Sequence, residues 1–259
     1  MFTEKDIQQI ENKGITIEHI NAQVALIKNG MSYSKLVAAA TIGKGIESFS
    51  KNETNEFIKL FEEKQNALSI VKFVPASGAA TRMFKFLFQF LKNFNPSKES
   101  IQDYAVRQKD ILIETFISNL KKFPFYKEVV SKAKQTNAGF SNISNNEKYL
   151  EFVKTMLNED GLNYSFLPKG LLPFHKYDEQ VVAAFQEHLF ESTLYASSNN
   201  KANLHFTVSE KHHSYFNAEL EKVKEGLEKE TNTKFNVSYS YQNEATETLA
   251  LTTDNKIFR

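Results

Sequence analysis

The sequence predicts an α/β protein with a mostly parallel sheet, and three stretches of the chain support this. A short apolar run, Ile70 to Val74, precedes several small residues and a long amphipathic helix pattern. Two later segments, Asn203 to Ser209 and Lys234 to Tyr241, have strand-like patterns and are separated by a polar helix pattern. Because alternating strands and helices favour parallel pairing, we expect these strands to form one Rossmann-like sheet.

The same patterns predict how the chain is organised. Residues 1–67 are expected to form a helical segment, whose first helix has a capping box made by Thr3 and Asp6. Residues 68–259 are expected to form the α/β core. Within this core, residues from about 84 to 160 have helical periodicity almost throughout, and we interpret them as a large helical insertion.

The last third of the chain contains three further predicted features. A loop covers Leu167 to Pro173, and Asp178 can cap a helix from Glu179 to Ala196. A hairpin of Thr248 to Thr252 and Lys256 to Phe258 is expected near the end of the sequence.

Composition excludes several classes of function. The 259 residues contain 32 basic and 31 acidic side chains, so there is no strong net charge to hold a nucleic acid or an anionic membrane. The sequence has no cysteine, which excludes disulfides, thiolate nucleophiles and cysteine-ligated zinc. No segment has the length and apolarity of a membrane span, and the start lacks the pattern of a signal peptide. We therefore expect a cytoplasmic protein.

A turn of small residues is the first candidate binding site. It follows the first predicted strand, where parallel sheets collect their ligands, and its backbone N–H groups can approach an anion closely. Arg82 comes next and can bind phosphate oxygens in a bidentate manner. The turn is not a Walker A loop, because it lacks the lysine which that motif requires. Its residues are Ser77, Gly78, Ala79, Ala80 and Thr81.

A second candidate is Lys169, which lies between Pro168 and Gly170. Flanking proline and glycine residues restrict the backbone, so this loop can aim the ammonium group at a fixed point. The simpler interpretation is a solvated lysine in a surface turn. Each motif alone is also compatible with a purely structural role.

Taken in order, these residues resemble a known family. Ser77 to Met83 is similar to the Gly-Gly-x-Gly-Thr-Arg signature of UTP:sugar-1-phosphate uridylyltransferases, and Pro168 to Gly170 to their Pro-Lys-Gly signature. The strand end at Ser209 and Gln242 after the next strand resemble later elements of these enzymes. The layout also resembles an uncharacterised bacterial family related to this sugar nucleotidyltransferase superfamily.

The resemblance implies a mechanism and a ligand set. A sugar 1-phosphate would attack the α-phosphorus of a nucleoside triphosphate, with UTP favoured, and pyrophosphate would leave. Arg82 would steady the pyrophosphate, Lys169 would neutralise the α-phosphate, and Gln242 would help to bind the base. Ser77 to Thr81, with Gly170 and Ser209, would complete the substrate site. Mg²⁺ is implied as well, although no protein ligand for it is identified in this chain.

Departures from the family pattern leave three hypotheses open. Ser77 and Ala80 replace two of the usual glycines, and the long insertion separates two motifs that the family normally joins by a short loop. The chain is therefore expected to be an active nucleotidyltransferase, a non-catalytic nucleotide- or sugar-phosphate-binding module, or the N-terminal part of an enzyme whose remaining half is missing or lies on a partner chain.

Histidine patterns argue against a metal site. His212 and His213 are adjacent, so on a helix their side chains point about 100° apart and cannot face one ion. We expect packing or surface roles, with His205 and His212 closest to the predicted strand end.

Overall fold

A computed structural model describes residues 2–30, 33–178, 180–242 and 249–257. Contacts between Cα atoms divide the chain into two units. The smaller unit consists of Met1–Glu62 and Gln242–Arg259, and the larger unit is Glu63–Tyr241. Gln242–Arg259 thus group with the N-terminal residues, whereas the sequence patterns placed them after the last strand of the core.

The smaller unit begins with two capped helices, α1 (Glu4–Asn12) and α2 (Ile17–Asn29). The predicted capping box is confirmed, because the backbone N–H of Thr3 donates to Asp6 and that of Asp6 donates to Thr3 Oγ1. Apolar residues from both helices form a small buried cluster with the C-terminal segment. Its members are Ile10, Ile15, Ile20 and Val24, with Phe2, Ile17, Leu249 and Leu251 packed against them.

Short strands β1 (Thr41–Ile42) and β2 (Gly45–Ile46) follow and pair with each other. Helix α3 (Lys51–Lys64) comes next, and its last two residues belong to the larger unit. Near the end of the chain, Leu251 and Ile257 form an antiparallel bridge. This bridge lies in the predicted hairpin, whose outer residues Thr248 and Phe258 are outside the described residues.

The larger unit contains a mostly parallel sheet, a separate two-stranded antiparallel sheet and many helices. In chain order the elements are β3 (Val71–Pro75), α4 (Lys85–Asn93), α5 (Ile101–Gln108), α6 (Ile111–Ser118), α7 (Tyr126–Thr136), α8 (Asn145–Leu157), β4 (His175–Tyr177), β5 (Gln180–Val182), α9 (Ala184–Tyr195), β6 (Ser197–Ser198), β7 (Lys201–Val208), α10 (His213–Thr231) and β8 (Lys234–Tyr241).

Strand β7 lies at the centre of the sheet. It pairs in parallel with β3 from Asn203 to Thr207 and with β8 along its whole length, while β6 pairs antiparallel with its first residues. The three predicted strands therefore exist, and they pair in parallel as the alternating pattern indicated. The protein is a mixed α/β structure.

The two faces of this sheet differ in chemistry. On the face that we call the apolar face, Val74, Leu204 and Phe206 are buried and pack with Phe185 of α9 and Phe216 of α10. On the opposite face, the polar face, β7 and β8 carry Asn203, His205, Thr207, Asn236, Ser238 and Ser240. The strict alternation of β7 produces this difference, since neighbouring residues of a strand point to opposite faces.

The region predicted as an insertion is helical and has its own core. Helices α4 to α8 bury a cluster of apolar side chains that includes Phe90, Tyr104, Ile113, Phe152 and Met156. A close backbone approach ends this region, because a Cβ at Gly161 would lie 2.0 Å from the carbonyl oxygen of Thr155. No side chain larger than hydrogen fits there without movement.

The predicted helix start at Glu179 is wrong. Strands β4 and β5 occupy this part of the chain as an antiparallel hairpin, with Asp178 at positive φ in its turn. Glu179 itself is outside the described residues. The helix begins at Ala184, where the side chain of Gln186 accepts a hydrogen bond from the backbone N–H of Ala183. The β-branched pair Val181 and Val182 favours the strand that displaces the expected helical turn.

Among the described residues, no helix combines the length and the apolarity needed to cross a membrane.

Candidate functional site

The small-residue turn and the Lys169 loop lie side by side. The backbone N–H of Lys169 donates a hydrogen bond to the carbonyl oxygen of Gly78 over 3.0 Å, and Ala79 forms an antiparallel bridge with Pro168. Because the turn follows β3 directly, this contact fixes the loop at the carboxyl end of that strand. Two segments separated by the whole helical region thus meet at the sheet edge where ligands are normally bound.

A cavity of about 230 Å³ opens at this meeting point. Its wall consists of residues from the end of β3, the Lys169 loop, the start of α9 and the apolar face of the sheet. The lining residues are Val74, Pro75, Ala76, Gly78, Lys169, Gly170, Ala184, Phe185, His188, Phe206 and Phe216. Polar contacts from a few side chains against an apolar wall are typical of ligand sites.

Gly78 leaves one side of this cavity bare. A Cβ added at Gly78 would meet no atom within 4 Å, and its φ is not in the left-handed region. Neither packing nor backbone geometry therefore requires glycine at this position. The absence of a side chain gives an incoming group direct access to the backbone of the turn.

The N-terminal end of α9 contributes a second favourable feature. Ala184 and Phe185, its first two residues, line the cavity, and the uncompensated N–H groups of a helix start carry partial positive charge. The side-chain oxygen of Gln186 accepts a hydrogen bond from the backbone N–H of Ala183. The side-chain amide of Gln186 also donates a hydrogen bond to Glu219 Oε1 over 2.7 Å. The helix start is thereby anchored to α10.

Lys169 supplies the cation of the site. Its side chain is exposed, and it makes no ion pair or side-chain hydrogen bond with any residue in the described part of the chain. An unpaired ammonium group on the rim of a cavity can bind an anion without first breaking an internal ion pair.

His188 is the titratable side chain in the cavity wall that the sequence patterns did not identify. Burial, and secondly the positive charge of Lys72, lower the pKa of its imidazole, so the ring is neutral at pH 7. Its Nδ1 lies 3.4 Å from Glu191 Oε2 without making a hydrogen bond. The cavity wall therefore contains a neutral imidazole as well as the cation of Lys169.

Lys72 connects Glu191 and the backbone of His188 in a small polar cluster. Lys72 Nζ donates to Glu191 Oε2 over 2.6 Å and to the carbonyl oxygen of His188 over 3.2 Å, and Tyr195 donates to the same carboxylate. The hydrogen bond from Lys72 lowers the pKa of the Glu191 carboxyl group, so that it stays ionised. These contacts hold the backbone of α9 beside β3.

Several buried polar side-chain atoms make no hydrogen bond with the described residues. They are Nδ1 of His188, both ring nitrogens of His212 and the hydroxyl oxygen of Tyr239. Such atoms in folded proteins are usually satisfied by an internal water or a ligand. His212 is 2% exposed and faces the ring of Phe166, so its burial lowers the pKa of its imidazole.

Arg82 lines a different cavity from Lys169. That cavity, of about 490 Å³, lies along α4 and the turn after α5, and its wall includes Gln89, Tyr104 and Asp110. The guanidinium group is exposed and makes no ion pair among the residues that the structure covers. The structure thus brings the two loops together while the two predicted cations line separate spaces.

The other residues predicted for the site have varied positions. Ala80 is fully buried in the helical core, so its side chain is not available to a ligand. Ser77 is half-buried, Thr81 is exposed, and α4 begins only at Lys85, four positions beyond Thr81. The helix dipole expected immediately after the turn is therefore displaced along the chain.

Ser209 and Gln242 follow the ends of β7 and β8. The carbonyl oxygen of Ser209 accepts the backbone N–H of His212, which starts a short turn before α10. Gln242 is exposed and groups with the smaller unit. These two positions are adjacent to strand ends, as the sequence indicated.

A protein-held magnesium ion does not fit the cavity. Its lining residues include no carboxylate, which is the ligand that Mg²⁺ prefers. In the described ranges, no group of three or more histidine, aspartate or glutamate side chains is arranged to hold a metal ion.

Comparison with known proteins gives one match. Residues 3–259 match a family model described as a domain of unknown function (DUF4301). No curated protein and no solved structure matches the sequence.

Proposed function

The chain belongs to the DUF4301 family, and from the geometry of the cavity we propose that it binds the phosphates of a nucleoside triphosphate, with UTP favoured, or of a sugar phosphate. The hydrogen bond between Lys169 and Gly78 carries this proposal, since it places an unpaired cation and a bare backbone turn at one strand end. In the same proposal, the parallel sheet is a reduced Rossmann-like core.

The size of the cavity limits what it can hold. Sites for ligands of drug size have volumes of about 300 to 1,000 Å³, whereas this cavity has about 230 Å³. Phosphate groups fit inside it, while a base or a sugar would extend beyond the rim. The dipole of α9 and the ammonium of Lys169 both favour negative charge in this space.

Resemblance to sugar nucleotidyltransferases suggests the reaction that such binding serves. An oxygen of a sugar 1-phosphate attacks the α-phosphorus of the triphosphate, and the bond to the leaving pyrophosphate breaks. Lys169 neutralises charge on the α-phosphate. His188, being neutral, can hold a phosphate or hydroxyl group by a hydrogen bond without adding charge. Arg82 would act on the pyrophosphate only if the ligand spans both cavities.

A binding module without turnover is the second candidate. Ala80, which replaces a family glycine, is buried in the helical core rather than presented to a ligand. The cavity wall also lacks a carboxylate for magnesium. These two observations favour binding of a phosphorylated ligand without nucleotidyl transfer.

The test is ligand-dependent thermal stability. Each of the four common nucleoside triphosphates, and glucose 1-phosphate, is added at millimolar concentration with Mg²⁺, and at least one should raise the melting temperature. Isothermal titration then gives its affinity. Lys169→Ala should weaken binding by about 10-fold to 150-fold, the range expected from losing a charge-assisted hydrogen bond of about 1.5 to 3 kcal/mol.

Three further variants sharpen this test. Lys229→Ala removes an exposed lysine at the far end of α10 and should leave affinity unchanged. Gly78→Ala should fold normally and still bind more weakly, because its methyl group blocks the bare turn. Arg82→Ala reports whether the ligand reaches the second cavity. Equal affinity in the Lys169 and Lys229 variants, or no thermal shift with any ligand, would refute the proposal.

A measurement of pyrophosphate release distinguishes the two candidate functions. Incubation of the protein with UTP and a sugar 1-phosphate should release pyrophosphate if the chain is a transferase. Tight binding without pyrophosphate release would support the binding module.

A further inference from the structure

The polar face of the sheet carries a chain of hydroxyl groups around one histidine. His205 Nδ1 lies 2.9 Å from Ser238 Oγ, and His205 Nε2 lies 2.9 Å from Ser240 Oγ. Ser240 Oγ also lies 2.9 Å from Thr207 Oγ1. The register of β7 and β8 creates this group, because Ser238 is paired with His205 and Ser240 with Thr207 on the same face.

The hydrogen bond made by Ser238, at one end of this series of side chains, determines the direction of every other hydrogen bond in the series. Ser238 Oγ donates its proton to the carbonyl oxygen of Leu204 over 3.3 Å. A hydroxyl has one proton, so Ser238 must accept from His205 Nδ1–H. In a neutral imidazole Nε2 then has the lone pair, and Ser240 donates its proton to it. Thr207 in turn donates to Ser240. In the opposite tautomer of His205, Ser238 would donate its proton to Nδ1 and would lose its hydrogen bond to the carbonyl oxygen of Leu204.

We propose that Ser240 is a nucleophile, with His205 as its general base and Ser238 as the group that orients the base. A hydroxyl hydrogen-bonded to an imidazole whose other nitrogen is held by a third group is the arrangement of activated serines on unrelated folds. Here a serine anchored to the backbone takes the place of the usual carboxylate. This inference concerns the face opposite the cavity and does not depend on phosphate binding.

The surroundings of His205 indicate the class of substrate. Phe73 stacks on the imidazole with a centroid distance of 5.5 Å and an interplanar angle of 10°. Phe73 is 63% exposed and its neighbour on the same face, Val71, is 56% exposed. This exposed apolar strip lies beside the general base, on the strand across β7 from Ser240, and suits an ester whose acyl chain is apolar.

The chemical step is acyl transfer. Ser240 Oγ attacks the carbonyl carbon of the ester, and its proton moves to His205 Nε2. The bond to the alcohol breaks, and the alcohol leaves with the proton returned from Nε2. The product is an acyl ester on Ser240, which water hydrolyses with His205 again as base.

Hydrolysis of this acyl ester should be slow. A good leaving group such as p-nitrophenolate departs far more readily than the serine alkoxide does, so an activated ester should acylate Ser240 faster than water removes the acyl group. With such an ester we therefore expect the acyl form to accumulate.

The test uses p-nitrophenyl butyrate as the activated ester. Intact-mass spectrometry of the full chain should show one butyryl group, and peptide mapping should place it on Ser240. Ser240→Ala should abolish this adduct, His205→Gln should slow its formation by about 10²-fold or more, and Ser238→Ala should slow it less. Ser214→Ala, which removes an exposed serine at the start of α10, should react like the wild type.

Two measurements guard against a variant that fails to fold. Thermal unfolding of each variant checks its structure, and Ser240→Cys should still form a covalent adduct, as a thioester. Nitrogen-15 NMR of the wild-type imidazole reports the tautomer independently of reactivity. Any of three results would overturn the proposal. Ser240 could be labelled no faster than other serines, His205→Gln could react at the wild-type rate, or the neutral His205 ring could be protonated on Nε2.

Discussion

The two faces of the β3–β7–β8 sheet are formed by the same strands but differ in the chemistry of their side chains. On the apolar face, Leu204 and Phe206 are buried under α9 and α10 and supply packing energy. On the polar face, His205 and Thr207 belong to a hydrogen-bonded chain. Parallel strands in most α/β proteins are apolar on both faces. The alternation in β7 therefore separates stability from polar chemistry within one strand.

The largest expected effect is the loss of a ring from the apolar face. Phe206 is fully buried and its ring lies 4.7 Å from that of Phe185, centroid to centroid. Phe206→Ala should lower the free energy of unfolding by about 3 to 5 kcal/mol, as measured by urea denaturation.

A matched substitution on the polar face provides the control. Phe73→Ala removes the same ring from an exposed position and should cost less than about 1 kcal/mol. Similar losses in the two variants would contradict the assignment of stability to the apolar face.

A smaller effect, of opposite sign, is expected for Tyr239 on the apolar face. Its hydroxyl is buried and makes no hydrogen bond with the described residues, and burial raises its pKa to about 12. Tyr239→Phe removes this unsatisfied group and should stabilise the protein by about 1 kcal/mol, seen as a higher melting temperature. A lower melting temperature would mean that a water or a ligand satisfies this hydroxyl.

The smallest effect should be the pH dependence that His212 causes. His205, in the polar chain, has partners for both nitrogens, whereas His212, just beyond the same strand, is buried with none among the described residues. Burial, followed by the charge of Lys211, lowers the pKa of His212 in the folded protein. An unfolded chain, with a histidine pKa of about 6.5, binds the proton first, so stability should fall as the pH drops below that value.

Urea denaturation at pH 7.5 and pH 5.5 measures this dependence. His212→Phe should reduce the loss of stability between these two pH values without removing it, because His188 also has a lowered pKa and contributes in the same direction. If His212→Phe loses as much stability as the wild type between pH 7.5 and pH 5.5, His212 is not a cause of the pH dependence.

Local sequence patterns were sufficient for most of the elements. The alternation from Asn203 to Ser209 predicts a strand with one buried face, and the structure has this strand at Lys201–Val208. Thr3 with Asp6 predicts a helix start, which is confirmed. The pattern failed between Asp178 and Ala183. There the polar residues suit a helix cap and a hairpin turn equally, and the positive φ of Asp178 is a property of the folded hairpin.

The site was only partly predictable. Lys169 and Gly78 were identified from their neighbours in the chain, and both line the cavity. His188 was missed because it lies in the middle of a helix, where a single histidine has no distinguishing local signal. Arg82, identified for its position after the turn, lines a separate cavity.

The sequence by itself determined the three parallel strands β3, β7 and β8, the helical region, the turn at Gly78 and the alternation that separates two chemically different faces, since these depend on neighbours within a few positions. Only the tertiary structure decided that Lys169 meets Gly78, that His188 enters the same cavity, and that Ser240 reaches His205. Those contacts join residues far apart in the chain, and their geometry depends on strand register and loop closure, which a local pattern does not encode.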